Sequence, residues 1–331
     1  MGDSLNLDLE ILRALRNPAG AWVSGSDLSR ELGVTRAAVW GRVDELRRVG
    51  YEIEASPHQG YRLIASPDAL HADDLLARMP GKRVVGRDIQ VFKETGSTND
   101  TMEMLARDGA AEGMVVFAES QTRGRGRMGR RWLSASGKGL WFSVLLRPPL
   151  RPQETTRLTV AAAVAIRRAI WKVTRLQCGI KWPNDLLLQG RKVAGILTEL
   201  SAETDRVRYL ILGVGIDVNQ RASEFPRSLA KVAGSLLLAA GTAVDRAALA
   251  AEVLSQLDRE YARVCAGRFQ EVAEEWESAC ATLGQTVCIK IGERLVEGRA
   301  EALDADGALL VRTEHGRLVC VTGGDLTVEK A

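Results

Sequence analysis

The chain has 331 residues, 46% hydrophobic and 26% charged, the composition of a globular protein of two or three domains and not of a disordered chain. Its 45 Lys and Arg against 42 Asp and Glu leave a net charge of only +3, so any nucleic-acid binding has to come from a local motif. The longest charge-free apolar stretch, around Val232 to Val244, falls short of the ~18–20 residues of a membrane span, and Met1-Gly-Asp-Ser4 is not a basic segment leading into an apolar core, so a cytoplasmic protein with no membrane partner is expected.

The cysteines (Cys178, Cys265, Cys280, Cys288 and Cys320) form no CxxC pair, which points away from zinc and from a disulfide framework. His58, His71 and His315 are far apart in sequence, a poor basis for a histidine metal site or a Ser-His-Asp triad. The chemistry is left to Lys, Arg, carboxylates and backbone groups.

Residues 1 to about 66 predict short helices followed by a hairpin. Leu5, Leu9, Leu12 and Leu15 fall at helical spacing, and Asn17-Pro-Ala-Gly20 breaks that helix. Ser26 is placed to cap a second helix carrying Leu28 and Leu32, which Gly33 ends. Thr35 is placed to cap a third, Arg36 to Arg48, with the apolar stripe Val39, Val43 and Leu46. Tyr51 to Glu54 alternates, Ser56 to Gly60 turns, and Tyr61 to Ile64 alternates back. That order predicts a winged helix-turn-helix, with the helix-turn-helix at about 25–44. The stripe leaves Arg36, Ala37, Trp40, Arg42 and Arg47 outward. Thr35, Arg36, Ala37, Trp40, Arg42 and the wing residue Arg62 are the candidate DNA contacts. The block is not basic overall, so specificity would lean on dimerisation and two half-sites. The competing reading is a helical hairpin that merely docks on the rest of the chain.

Ser66-Pro67 opens a linker, and His71 to Met79 predicts a short helix. From Val91 to about residue 215, strand and helix patterns mix. Strands are expected at Met114 to Ala118, Gly139 to Leu146, Gly179 to Trp182, Lys192 to Leu200 and Arg208 to Gly215, with helices at Thr101 to Arg107 and about Gln153 to Val173. Residues 245 to about 279 read as helical. From Thr282 onward, short strands broken by Gly and Asp turns (Thr286 to Ile291, Leu295 to Leu303, Ala308 to Thr313, Arg317 to Thr322) predict a small SH3-like β-barrel. The expectation is an α+β multidomain chain: a winged helix-turn-helix over 1–66, a mixed-sheet α/β catalytic core over 67–280, and the barrel over 281–331.

Four segments carry chemistry. Gln121 to Trp132 holds five arginines and three glycines with no acid. The glycines let backbone approach a ligand, and the guanidinium groups offer forked donors to carboxylate or phosphate. It lacks the Gly-Lys-Ser/Thr ending of a Walker A loop and the acidic ribose ligand of a Rossmann turn; an arginine-rich RNA-binding segment is the bland alternative. Ile180-Lys-Trp-Pro-Asn-Asp185 places a lysine at an apolar strand end, where an anion such as phosphate would compensate its charge. Asn184 and Asp185 beyond it suit Mg²⁺ with phosphate or water oxygens, or else form an ordinary turn. Gly96-Ser-Thr-Asn99 stands where a strand gives way to a helix, and binds a polar head group or only caps the helix. Gly213-Val-Gly-Ile-Asp-Val-Asn219 is apolar and glycine-rich, apt to line a pocket or admit an adenine.

In this order the segments resemble the biotin–protein ligases that double as biotin-operon repressors. Gly124 to Trp132 is similar to that family's glycine-arginine loop, with Met128 where arginine is common, and Lys181 to Asp185, Gly195-Ile-Leu-Thr-Glu199, Gly213 to Asn219 and Ser26 to Asp44 match its other motifs. The resemblance implies a two-step reaction, from biotin and Mg·ATP to biotinyl-5′-adenylate and then to a lysine of the biotin carboxyl carrier protein of acetyl-CoA carboxylase. No covalent enzyme intermediate and no bound prosthetic group are implied. It implies biotin contacts from Ser97, Thr98, Asn99, Gln121, Arg125, Gly126, Arg127 and Lys181, and nucleotide contacts from Arg125, Arg127, Arg130, Asn184 and Asn219. Lys181, Arg125 and Arg127 are the implied catalytic groups, Asp185 the implied Mg²⁺ ligand. Residues Arg221 to Ser235 are expected to cover the adenylate. Operator DNA is the second implied partner, bound as an adenylate-loaded homodimer. Lipoate ligation, or adenylate binding without turnover, are the alternatives.

Overall fold

A computed structural model describes residues 6–16, 20–79 and 81–328. The expectations resting on Met1 to Leu5 and on Asn17 to Ala19 lie outside the described residues. The chain forms two compact units, residues 1–82 with 245–251, and residues 83–244 with 252–331.

The first unit contains α1 (Leu7–Arg16), α2 (Gly25–Glu31), α3 (Arg36–Arg48), β1 (Glu52–Ser56), β2 (Gly60–Ala65) and α4 (Ala72–Arg78). Its core is built from Ile11, Leu12 and Leu15 of α1, Leu28 of α2, and Val39, Val43 and Leu46 of α3; all but Ile11 stand in the spacing read from the sequence, whose Leu9 and Leu32 are only partly buried. Thr35 caps α3 as expected, its Oγ1 accepting the Ala38 N–H at 3.2 Å. The cap of α2 is Ser24 and not Ser26: the Ser24 Oγ accepts the N–H groups of Ser26 and Asp27, while its own backbone is extended as an N-cap requires. β1 and β2 form the predicted hairpin, and Val23 joins its second strand through two 2.8 Å backbone bonds with Tyr61. Gly60 is required there, at φ +97°, because a Cβ would sit 2.0 Å from the Val23 carbonyl oxygen.

The second unit is built on seven strands: β3 (Asp88–Phe92), β4 (Met114–Ala118), β5 (Gly139–Leu146), β6 (Gly179–Lys181), β7 (Asp185–Leu188), β8 (Arg191–Ala202) and β9 (Val207–Asp217). They form one mixed sheet in the order β3-β4-β5-β9-β8-β7-β6, with only the β3–β4 pair parallel. Its helices are α5 (Thr98–Arg107), α6 (Thr156–Thr174), α7 (Leu236–Ala240), α9 (Phe269–Ala279) and, from Glu252 onward, α8 (Arg246–Cys265), whose first residues to Ala251 belong to the first unit. Every residue of β5 is buried, the mark of a strand covered on both faces. The sequence pattern does not reveal β7, because Pro-Asn-Asp looks like a turn while Asp185 already pairs with both Lys181 and Gly195.

The C-terminal strands are β10 (Thr286–Ile291), β11 (Arg294–Leu303), β12 (Leu309–Arg312), β13 (Leu318–Val321) and β14 (Asp325–Val328), an antiparallel sheet in the order β13-β12-β11-β10-β14. The ladders run from β13 to β14 as one antiparallel sheet, with none joining the two outer strands among the described residues. No helix among them is long and apolar enough to cross a membrane.

Candidate active site

A cleft of about 450 Å³ opens in the second unit, walled by β8, β9, the arginine loop and the turn before β7. At one end a hydrogen-bond chain of neutral side chains, anchored on the Glu199 carboxylate, is already assembled. Ser97, Thr98 and Asn99 are buried where α5 begins, and the Ser97 side chain makes no cap bond to that helix. The Thr98 N–H and hydroxyl both point to the Gln121 Oε1, at 2.8 and 3.2 Å, and the Gln121 amide donates to the Ser134 Oγ at 2.8 Å. Asn99 Nδ2 donates to Glu199 at 2.7 Å. Behind them Ser143 donates to the Asn99 Oδ1 at 2.5 Å and lies 2.8 Å from the Thr98 Oγ1. Ser143 was missed by the sequence reading; its signal is being the one polar side chain in the buried run Leu140 to Leu146.

The other end is cationic. Arg125 is held by Asp100 at 2.6 Å and Glu199 at 3.1 Å, and Arg130 by Asp325 of β14 at 2.5 Å. Arg127 is the most buried of the three: desolvation lowers its pKa, against the opposing charges of Asp185 and Asp325. A Cβ at Gly323 would come 2.8 Å from its guanidinium, so a glycine at that point leaves room for it. Met128, where an arginine was the norm by resemblance, has φ +56° and an exposed side chain. Met128 does not line the cleft.

Trp132 lies against the sheet as part of the cleft wall. A Cβ at Gly215 would sit 2.5 Å from its ring, and one at Gly195 2.9 Å from it, which gives both glycines a steric reason. Lys192, passed over as an ordinary strand residue, lines the cleft with its Nζ 5.1 Å from the Trp132 ring centroid and 2.6 Å from Asp185. Lys181 lines the same cleft at the end of β6. Asp217 also lines it, 7% exposed, and accepts a 2.5 Å bond from Gln220. Burial raises its pKa well above the ordinary carboxylate range, with Lys192 and Gln220 pulling it back.

Two expected nucleotide contacts have other partners. The Asn184 side chain donates to the Ile196 carbonyl at 2.6 Å, although the residue still lines the cleft. Asn219 is not a lining residue: its side chain makes 2.9 Å bonds to the carbonyl and N–H of Val244. No three His, Cys, Asp or Glu side chains among the described residues form a metal-binding group. Asp185 is already paired with Lys192, so these residues do not build a protein cage for Mg²⁺. Phe225, Leu229 and Val232 of the expected covering segment line the cleft.

On the first unit Arg36, Ala37 and Trp40 are exposed along α3, as expected. Arg42 is not free: it is bound by Asp8 and Glu45. Arg62 is paired with Glu54 and stacked 4.7 Å from the Trp22 ring centroid, and Arg47 donates to the Ile53 carbonyl.

Three family models match the chain: the biotin/lipoate A/B protein ligase family over residues 91–217, a helix-turn-helix domain over 8–62, and the biotin protein ligase C-terminal domain over 282–326. The bifunctional ligase/repressor BirA of Bacillus subtilis is 38% identical over 307 residues, spanning 93% of this chain and 94% of the relative. The bifunctional ligase/repressor BirA of Escherichia coli is 30% identical over 324 residues, spanning 98% and 97%. A solved biotin protein ligase from Aquifex aeolicus, in complex with biotin and ATP, is 31% identical with a TM-score of 0.63, covering 74% of this chain and 100% of its own.

Proposed function

Since this chain belongs to the biotin protein ligase family, we propose that it activates biotin with ATP and transfers it to a lysine of a biotin carboxyl carrier protein, and that it also represses biotin-synthesis genes with the adenylate as corepressor. The observation that carries the ligase is one cleft joining a hydrogen-bond chain of neutral side chains to a cluster of cations. Biotin has the matching shape, a polar ureido head at one end and a carboxylate at the other.

Ser97, Thr98, Asn99 and Gln121 hold the head group, oriented by Ser143 behind them. Arg125, Gly126 and Arg127 close over the carboxylate and the α-phosphate; Arg125 first leaves Asp100 and Glu199. A carboxylate oxygen attacks the α-phosphorus, forming the mixed anhydride and releasing pyrophosphate. Lys181 and Lys192 offset the negative charge that builds on the phosphorus oxygens, at an energy cost already met because both are in place beforehand. Trp132 and Asp185 fix the position of Lys192. Arg130 steadies the departing pyrophosphate. Asn184 and Asn219 support the nucleotide end by holding Ile196 and Val244 in place. Magnesium enters as the ATP complex, held chiefly by phosphate oxygens and water with Asp185 nearby. In the second step the carrier lysine's neutral amine attacks the anhydride carbonyl, the amide C–N bond forms, the amine proton is lost to solvent, and AMP departs.

We further place the domain boundaries at 1–66, 67–280 and 281–331, take the C-terminal sheet as an SH3-like barrel, and assign a cytoplasmic location. The adenylate-loaded form binds operator DNA as a homodimer and needs no prosthetic group. Biotin-dependent exchange of labelled pyrophosphate into ATP tests the first step. Exchange is expected only with biotin, ATP and magnesium all present; exchange driven by lipoate and not by biotin would overturn the assignment.

A further inference from the structure

Residues 1–66 contain eight arginines, no lysine and nine carboxylates, a net charge of −1. Seven of the eight arginines are spent inside the unit. Arg13, Arg30 and Arg48 pair along their own helices with Glu10, Asp27 and Asp44. Arg16 is bound to Asp74, Arg42 to Asp8 and Arg62 to Glu54, and Arg47 donates to a carbonyl. Among the described residues Arg36 is left without a partner. A surface so neutralised cannot hold a duplex by phosphate contacts alone.

Beside Arg36, one helical turn along the same face of α3, stands Trp40, 59% exposed. Its neighbours on that face are small: Ala37, and Gly41, where an added Cβ would meet nothing within 4 Å. The indole therefore projects from a smooth face of the helix that a helix-turn-helix places in the major groove. Apart from the edges that hydrogen-bond, the major groove offers one apolar group, the C5-methyl of thymine. Resting on the repressor reading above, we infer that Trp40 is the specificity-determining residue, packing its indole on a thymine methyl in each half-site, and that Arg36 supplies the one charged contact per protomer.

Two measurable properties follow for the adenylate-loaded dimer. Affinity falls gently with salt, with a log–log slope near about −2, since two phosphate contacts release few counterions. Removing one thymine methyl weakens binding about fourfold, the worth of one buried methyl-sized group.

The test uses the full chain with biotin, ATP and magnesium to select sites from a random duplex pool. Each thymine of the selected site is then replaced singly by deoxyuridine. The expected result is one sensitive thymine per half-site in the unaltered chain and none in Trp40→Ala, whose exposed position leaves the fold intact. Binding that ignores every replacement, or that keeps its sensitivity in Trp40→Ala, overturns the role of Trp40 while leaving the repressor reading standing. A salt slope steeper than about −5 shows that the paired arginines let go of their acids, and overturns the single-contact account. If a preparation that ligates biotin enriches no duplex, the repressor reading fails and this inference with it.

Discussion

Gly213→Ala probes the hydrogen-bond chain of neutral side chains at one end of the cleft. A Cβ at residue 213 would lie 2.3 Å from the Asn99 Oδ1 and 3.0 Å from its Cγ and Nδ2, so Asn99 has to move by about 1 Å to regain ordinary contact. Asn99 is not free to do so without loss, because it accepts from Ser143 at 2.5 Å and donates to Glu199 at 2.7 Å. A neutral bond is worth about 1 kcal/mol and one to a charged group about 1.5–3 kcal/mol. Glu199 is partly exposed, so the lower part of that range applies and the total is about 2–3 kcal/mol. In a domain of this size that lowers Tm by about 4–12 °C. The displaced amide also loses its bond to biotin, raising the biotin KM about five- to tenfold. Differential scanning fluorimetry and steady-state ligation read the two effects separately. A variant within about 1 °C of wild type and with unchanged KM would refute both the packing and the role given to Asn99.

Lys181→Ala is expected to fold normally while pyrophosphate exchange drops by at least about 100-fold; wild-type exchange would remove Lys181 from the reaction. Lys192→Ala should cost at least as much and also leave Asp185 without its cation, so the ratio of the two losses, measured in one exchange assay, ranks the lysines. Burial keeps the Asp217 carboxyl protonated well above the usual range. The folded chain thus holds a proton that the unfolded chain gives up, and stability from this group is present below about pH 4 and declines as pH rises toward the folded pKa. Asp217→Asn should accordingly gain stability over wild type as pH climbs from about 4 to 8 in urea melts, and constant relative stability would contradict the burial argument. Gly126→Ala meets nothing nearer than 3.6 Å, so Tm should hold while the KM for biotin or ATP rises; unchanged KM values would show that no ligand approaches that Cα.

Much of the fold was legible because its pattern is local. The stripe Val39, Val43 and Leu46, the Thr35 cap and the apolar run of β5 each follow from a period or a cap residue within one element. The Ser97-Thr-Asn99 and arginine-loop motifs were legible for a different reason: their residue types are poorly matched to a plain core or a plain surface. What escaped depends on contacts between elements. Ser143 gains meaning only once β5 lies under α5, and Lys192 only once Trp132 packs on Gly195 and Gly215. The bonds from Arg42 to Asp8, Arg62 to Glu54, Asn184 to Ile196 and Asn219 to Val244 span between 8 and 34 residues of sequence, where side-chain type gives no hint of them. β7 was hidden by the turn signal of Pro183-Asn-Asp185, which tertiary pairing on both sides overrode.

The most direct test is transfer of labelled biotin to an isolated carboxyl carrier domain, with Mg·ATP and with each component left out in turn. Labelling of a single carrier lysine that requires biotin, ATP and the enzyme together is the predicted result. Absence of transfer by a folded protein that nonetheless binds biotin would contradict the ligase account and leave the chain a sensor of the adenylate.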